Sequence, residues 1–233
     1  MNFIYPNLES SSPPPEYFLQ QMILAPQNSI VGDVNKTLID SMPSDGKTFY
    51  SADKIIHEPG ADDHSSSFLT PEFLRSINSS SLSPGELNIK IGCPLILIRN
   101  LSPSRGLCNG SRMIVVEMSQ RILHVRLIGG DHDGQLALIP RIALIPTSTP
   151  NFFFKFKRLQ FPVRIAFAIS INKAQGQSVI YIGVDLRIPV FAHGQLYVAL
   201  SRVTAKENIK ILLPSDNINS KTPNVVYEEA LLQ

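Results

Sequence analysis

Cysteine is scarce in this 233-residue chain. Cys93 and Cys108 are too few for a disulfide framework and lie outside any C-x-x-C spacing, so reduced thiols are expected. No uncharged apolar run reaches the roughly 18 residues of a membrane span. The N-terminus lacks the basic-then-apolar order of a secretory signal, and the expectation is a soluble intracellular chain with no membrane partner. No stretch fits G-x-x-x-x-G-K-[ST], and no apolar strand ends in the paired acids that a Mg²⁺-dependent ATPase would use. Acidic residues are absent altogether between Gly134 and Val184.

That last gap belongs to a wider asymmetry hidden by a formal net charge of +2. Residues 1–72 carry three lysines against ten acids, whereas residues 73–184 carry thirteen Lys/Arg against Glu86, Glu117, Asp131 and Asp133. A polyanion would therefore meet the middle of the chain.

Two polar stretches invite a chemical reading. "SMPSDGKT" (Ser41 to Thr48) ends like a phosphate loop, but Ser41 stands where the first glycine belongs and Pro43 removes an N–H. A helix rather than a buried strand precedes it, so a surface turn is expected, with Lys47 and Thr48 binding no nucleotide. "HEPGADDH" brings His57, Asp62, Asp63 and His64 close in sequence, yet nothing helical fixes a ligand geometry there, and a solvated loop is the simpler reading.

The periodicity predicts the organisation. "NLESSSPPPEYF" reads as a linker. The run "QMILAPQNSIVGDVNKTLIDSM" predicts a short strand, a turn and a helix over 29–40, with Ser29 as N-cap and Ile30, Val34 and Leu38 on one face. Residues 43–70 read as a long polar excursion. From Glu86 to Pro146 the period becomes two, with Leu123, Val125 and Leu127 facing one way and His124 and Arg126 the other, which suggests a small barrel or sandwich. A strand over Val163–Ile171, another over Val179–Val184, a helix in "AHGQLYVALSRV" and a last strand in "NIKILLP" complete the pattern. The expectation is an α/β domain interrupted by a β-rich insertion.

In "NFFFKFKRLQFPVR" cations alternate with aromatics. Arg141, Lys155, Lys157, Arg158, Arg164 and Lys173 could neutralise phosphates while Phe152, Phe153, Phe154, Phe156 and Phe161 could stack bases. A buried strand with snorkelling lysines is the alternative for each phenylalanine.

"FAISINKAQGQS" and "GQLYVALSRV" resemble the fifth and sixth helicase motifs of the PIF-type superfamily 1B DNA helicases, relatives of RecD. "ILAPQN", "GKTFYSAD", "TPEFLRSIN", "GLCNGSRMIV" and "IPRIALIPT" fall in the same order as in the C-terminal half of those enzymes, particularly Helitron-type transposon helicases. The resemblance spans about Tyr17 to Pro214. It implies a second RecA-like motor domain (19–65 and 156–214) with an inserted SH3-like β-barrel (66–155), a linker over 1–18 and a tail over 215–233. It also implies roles: Arg202 as the arginine finger, Lys173, Gln175, Gly176, Gln195 and Tyr197 in the ATP cleft and its coupling, and Asn28, Asn35, Ser170 and Asn172 on single-stranded DNA, where Lys155, Lys157 and Arg158 of the basic stretch are expected as well. ATP and Mg²⁺ would serve the complete enzyme, with none bound by this chain alone and no resident metal. The phosphate-loop motor domain is the implied partner. The implied setting is nuclear or mitochondrial, in telomere maintenance, repair, recombination or transposition.

Overall fold

The computed structural model describes residues 3–6, 8–9, 13–56, 69–79, 81–146, 154–217 and 221–231. In chain order these form α1 (Pro15–Gln20), β1 (Gln21–Ala25), α2 (Asn28–Ser41), β2 (Gly46–Tyr50), β3 (Ala52–Ile56) and α3 (Pro71–Ser76). There follow β4 (Glu86–Lys90), β5 (Pro94–Leu97), β6 (Arg112–Met118), β7 (Ile122–Ile128), β8 (Leu136–Pro140), β9 (Ile142–Leu144) and β10 (Lys155–Gln160). The last elements are β11 (Val163–Ile165), β12 (Ala168–Ser170), β13 (Tyr181–Asp185), α4 (Gln195–Leu200) and β14 (Ile209–Leu212).

The chain divides into one compact unit made of Met1–Pro43 with Ala166–Gln233 and a second of Ser44–Ile165. The seams fall inside the segments that the sequence reading assigned to the motor domain, so β2, β3, β10 and β11 join the second unit.

The first unit is built on a parallel sheet in the order β12-β1-β13-β14. All five residues of β1 are buried, as a strand covered on both faces requires. Helix α2 packs on β12 and β1 through Ile30, Val34, Leu38 and Ile39. It begins one residue before the expected start and its N-cap is Gln27, not Ser29. Asn35 lies on that buried face. Because Phe167 O accepts from Ile23 N, the peptide groups of Ala168 point away from β1. Asn35 satisfies them, with Nδ2 donating to Ala168 O at 2.9 Å and Oδ1 accepting from Ala168 N at 2.8 Å. The helix thus closes the edge of the sheet. Asn35→Ala strips both partners from a buried peptide, and we expect urea unfolding to lose roughly 2 kcal/mol or more.

The second unit is antiparallel. Its largest sheet has the order β11-β5-β6-β7-β8, beside β3-β10-β9 and the pair β2-β4. Leu123, Val125 and Leu127 are buried while Arg126 is exposed, so the alternation seen in the sequence sets the register.

Three expectations change. Residues 46–56 are two strands rather than part of a featureless excursion, because "GKTFY" and "ADKII" find ladders in β4 and β10 far along the chain. Helix α1 starts at Pro15 inside the stretch read as linker, since proline at the first helical position has no N–H to lose. The strand over Val163–Ile171 is two strands, β11 pairing with β5 and β12 with β1. His57, Asp62, Asp63, His64, Phe152 and Phe153 lie outside the described residues.

Candidate nucleotide and nucleic-acid site

The parallel sheet gathers the ends of its strands on one side, and ligands of open α/β sheets bind at those carboxyl ends. Ala25, which ends β1, is in register with Ser170, which ends β12. Three residues beyond Ala25 the exposed Asn28 opens α2. Beyond Ser170 a 3₁₀ turn, Ile171–Ala174, carries Asn172 and Lys173. Its buried Ile171 and Ala174 anchor the turn, while Asn172 is exposed. The chain then passes exposed Gln175 and reverses at Gly176, whose φ of +80° suits glycine.

A second segment meets this turn. Gly194, at φ +69°, caps α4, and Gln195, the first helical residue, is buried. Its Nε2 donates to Asn172 Oδ1 at 3.3 Å and its Oε1 accepts from Phe191 N at 3.1 Å. Tyr197 projects outward, 74% exposed. Just past α4, Arg202 Nε donates to Val198 O at 2.8 Å, Nη1 to Gln177 O at 3.2 Å and Nη2 to Ser201 Oγ at 2.7 Å. Arg202 therefore ties the end of α4 to the turn after Ala174, which places residues 170–177 and 195–202 together although about twenty-five residues of chain separate them. In this conformation the guanidinium caps carbonyl groups of its own unit, as an arginine at a helix C-terminus does.

The basic stripe resolves differently from its sequence appearance. Along β10 the side chains alternate, so Lys155, Lys157 and Leu159 are exposed while Phe156, Arg158 and Gln160 are buried. Arg158 is completely enclosed and is not available to a nucleic acid. Its Nε and Nη2 form a fork on Asp53, the residue opposite it on β3, with Nη2 2.9 Å from Oδ2. Nη1 donates to the carbonyls of Ile77 and Ser83, each at 3.0 Å, and Nη2 also reaches Leu74 O. Arg164 is likewise turned inward onto the carbonyls of Ser79 and Leu82, and its burial lowers its pKa. Arg141 donates to Tyr50 O and stacks over Phe161, and burial lowers its pKa as well. Phe156 and Phe161 are core residues, and Phe154 packs against the same core. Asn35, as described above, is committed to Ala168 and offers nothing to a phosphate. Lys155 and Lys157 keep their exposed positions, and Asn28, Ser170, Asn172 and Lys173 stand at the strand ends.

Lys47 and Thr48 lie in β2, opposite Ile89 and Asn88, so the Gly-Lys-Thr sequence forms a strand ladder and no phosphate cradle. Burial pushes the Cys93 thiol up to about 12, which leaves it protonated and inert at neutral pH. Among the described residues no group of three His, Cys, Asp or Glu side chains gathers as a metal site would require, and no helix is long and apolar enough to cross a membrane. The buried Arg158–Asp53 pair had no local signal in the sequence, because its partners lie 75 to 105 residues away.

The parallel sheet with its motif-bearing ends defines the class. The chain shares a RecA-like α/β fold with the crystal structure of Pif1 helicase from Bacteroides in complex with ADP-AlF3 and ssDNA, with a TM-score of 0.64 at 18% identity over 99% of this chain and 48% of that one. Residues 72–118 match the family described as DNA helicase Pif1, 2B domain. ATP-dependent DNA helicase PIF1 of Mus musculus is 33% identical over 145 residues, covering 61% of this chain and 21% of its own length. The Homo sapiens protein of that name is 34% identical over 145 residues, covering 61% and 22%. The chain is thus a relative of the PIF-type superfamily 1B helicases, and it spans about a fifth of the length of the curated relatives it matches.

Proposed function

We propose that the chain is the C-terminal portion of an ATP-dependent 5′-to-3′ DNA helicase, supplying one wall of the ATP cleft and part of a single-stranded DNA track. The observation that carries this reading is the meeting of residues 170–177 with 195–202 through Gln195–Asn172 and Arg202–Gln177 at the carboxyl end of a parallel sheet. Arg202 is the finger. It leaves Gln177 O and Ser201 Oγ for the γ-phosphate when a phosphate-loop motor domain, on the same or a separate chain, closes on it, and there it stabilises the charge that builds in phosphoryl transfer. Gln195 holds Asn172 from one side and the 188–194 loop from the other, so a shift of the DNA-side turn reaches the finger helix through one amide. Lys173, Gln175, Gly176 and Tyr197 serve the same coupling. Asn28, Ser170, Asn172, Lys155 and Lys157 contact the DNA strand, and the antiparallel unit is the SH3-like inserted module. ATP and Mg²⁺ would be held chiefly by the phosphate-loop domain.

A second reading, a nucleic-acid-binding module without catalysis or a transposon-derived remnant, is favoured by one observation: every nitrogen of Arg202 is already engaged within its own unit. The two readings agree on DNA binding. Lys155→Ala with Lys157→Ala is expected to weaken oligothymidylate binding in fluorescence anisotropy and to reduce the salt slope by about 1.4, from roughly 0.7 per lost single-strand phosphate contact. An unchanged slope removes β10 from the track.

A further inference from the structure

The outer face of the β6-β7-β8 sheet is apolar where a solvated face should be polar. Leu136 is 68% exposed and Leu138 57%, and Val116, extruded at the bulge between Val115 and Glu117, is 41% exposed. With Arg105, Leu107 and His124 these residues line a depression of about 610 Å³.

The same strand is also an open edge. β8 ends the sheet order and, among the described residues, pairs only with β7. The bonds Leu127 N to Gln135 O and Arg141 N to Arg121 O fix the phase of that ladder. Gln135, Ala137 and Ile139 therefore turn their peptide groups to β7, and Leu136 and Leu138 turn theirs outward. Pro140, without an N–H, stops the edge at one end, and the turn through Gly134 stops it at the other. Such a short edge admits one brief extended segment and discourages open-ended stacking.

Charge selects the occupant. Arg126 lies directly opposite Leu136 and is exposed, and Arg105 lines the depression. The acid on this face, Glu117, is 3.5 Å from His124. Asp133, in the β7–β8 turn, accepts from Gly129 N. A second copy of this chain would bring arginine against arginine, and no phenylalanine, tyrosine or tryptophan is among the lining residues to stack a base.

We propose that the free edge of β8 and the depression beside it dock, by strand addition, an extended segment of a partner protein in which every second residue, on the face turned to the depression, is acidic and apolar by turns. Main-chain bonds to Leu136 and Leu138 supply affinity, apolar side chains fill the space over Val116 and the two leucines, and the acids meet Arg105 and Arg126. The inference rests on the antiparallel unit alone and does not depend on ATP or the finger.

The test is a titration of the full ¹⁵N-labelled chain with a short synthetic peptide of Asp-Thr-Val-Thr repeats, which sets aspartate and valine on one strand face, with its lysine-for-aspartate counterpart and with oligothymidylate. The expected result is movement of the Leu136 and Leu138 amide signals with the acidic peptide only. Arg126→Glu should weaken binding about tenfold or more, and Leu138→Pro should abolish it while leaving the rest of the spectrum in place, because that N–H takes no part in the β7 ladder. The proposal is overturned by still amide signals at β8, by equal binding of the lysine peptide, by indifference to Leu138→Pro, by oligothymidylate moving the same signals, or by a dimer that Leu138→Pro abolishes.

Discussion

In an enzyme that joins this chain to the phosphate-loop motor domain of a Pif1 relative, Arg202→Ala should reduce ATP turnover about a thousandfold or more, the scale on which arginine fingers act. DNA affinity should change little, because Lys155 and Lys157 are on other elements. The variant also loses the links to Val198 O and Gln177 O, so its stability has to be followed alongside. Arg202→Lys separates the two effects: it retains a positive charge at the end of α4 but lacks the planar fork. A finger role predicts that the lysine variant folds normally and turns over slowly. Turnover within a few-fold of the parent for both variants removes Arg202 from the chemistry.

Arg158→Met should destabilise the antiparallel unit by about 3–5 kcal/mol, since it leaves the Asp53 carboxylate buried and alone. The side chain of Asp53 is only 2% exposed. The carbonyls of Leu74, Ile77 and Ser83 lose their donor in the same stroke, so the segment following α3 should loosen first. Asp53→Leu combined with Arg158→Met should cost less than Arg158→Met alone, because the pair is then replaced by apolar volume. A double-mutant cycle by urea unfolding reads this coupling directly. A single-variant loss below about 1 kcal/mol contradicts the assignment of Arg158 to the core.

The distribution of legible and illegible features follows from where each signal resides. β1, α2 and β7 carry their periods within themselves: four apolar residues in a row from Met22 to Ala25, apolar positions every three or four, and strict alternation at Leu123, Val125 and Leu127. These could be read directly. β2 and β3 could not, because of "GKTFY" only Phe49 is buried and the strand exists by pairing with β4. The opening helix was hidden by three prolines, of which only Pro15 enters the helix and does so at the position that tolerates it.

The candidate site divides in the same manner. A count of cations between Arg141 and Lys173 suggests a continuous basic surface, but inside/outside alternation along β10 turns Arg158 inward and leaves Lys155 and Lys157 outside. Asn28 and Asn35 lie two helical turns apart on α2, and only the deeper one meets the edge of the sheet. Neither outcome depends on local composition; both depend on which partner is supplied from 75 to 133 residues away. That Asn172 touches Gln195 could be anticipated only from the family's motif order, and the capping of Arg202 on Gln177 could not be anticipated at all.

The Gly-Lys-Thr of β2 sharpens the central claim. It lies in a ladder, not between a strand and a helix, and the 233 residues contain no other candidate phosphate loop. The account therefore rests on a cleft completed by another domain. The most direct measurement is DNA-stimulated ATP hydrolysis by the purified chain, alone and after joining to a phosphate-loop motor domain. The account predicts no turnover from the chain alone and Arg202-dependent turnover once the two are joined. Turnover by the chain alone, or none in the joined enzyme despite normal folding and DNA binding, would contradict it.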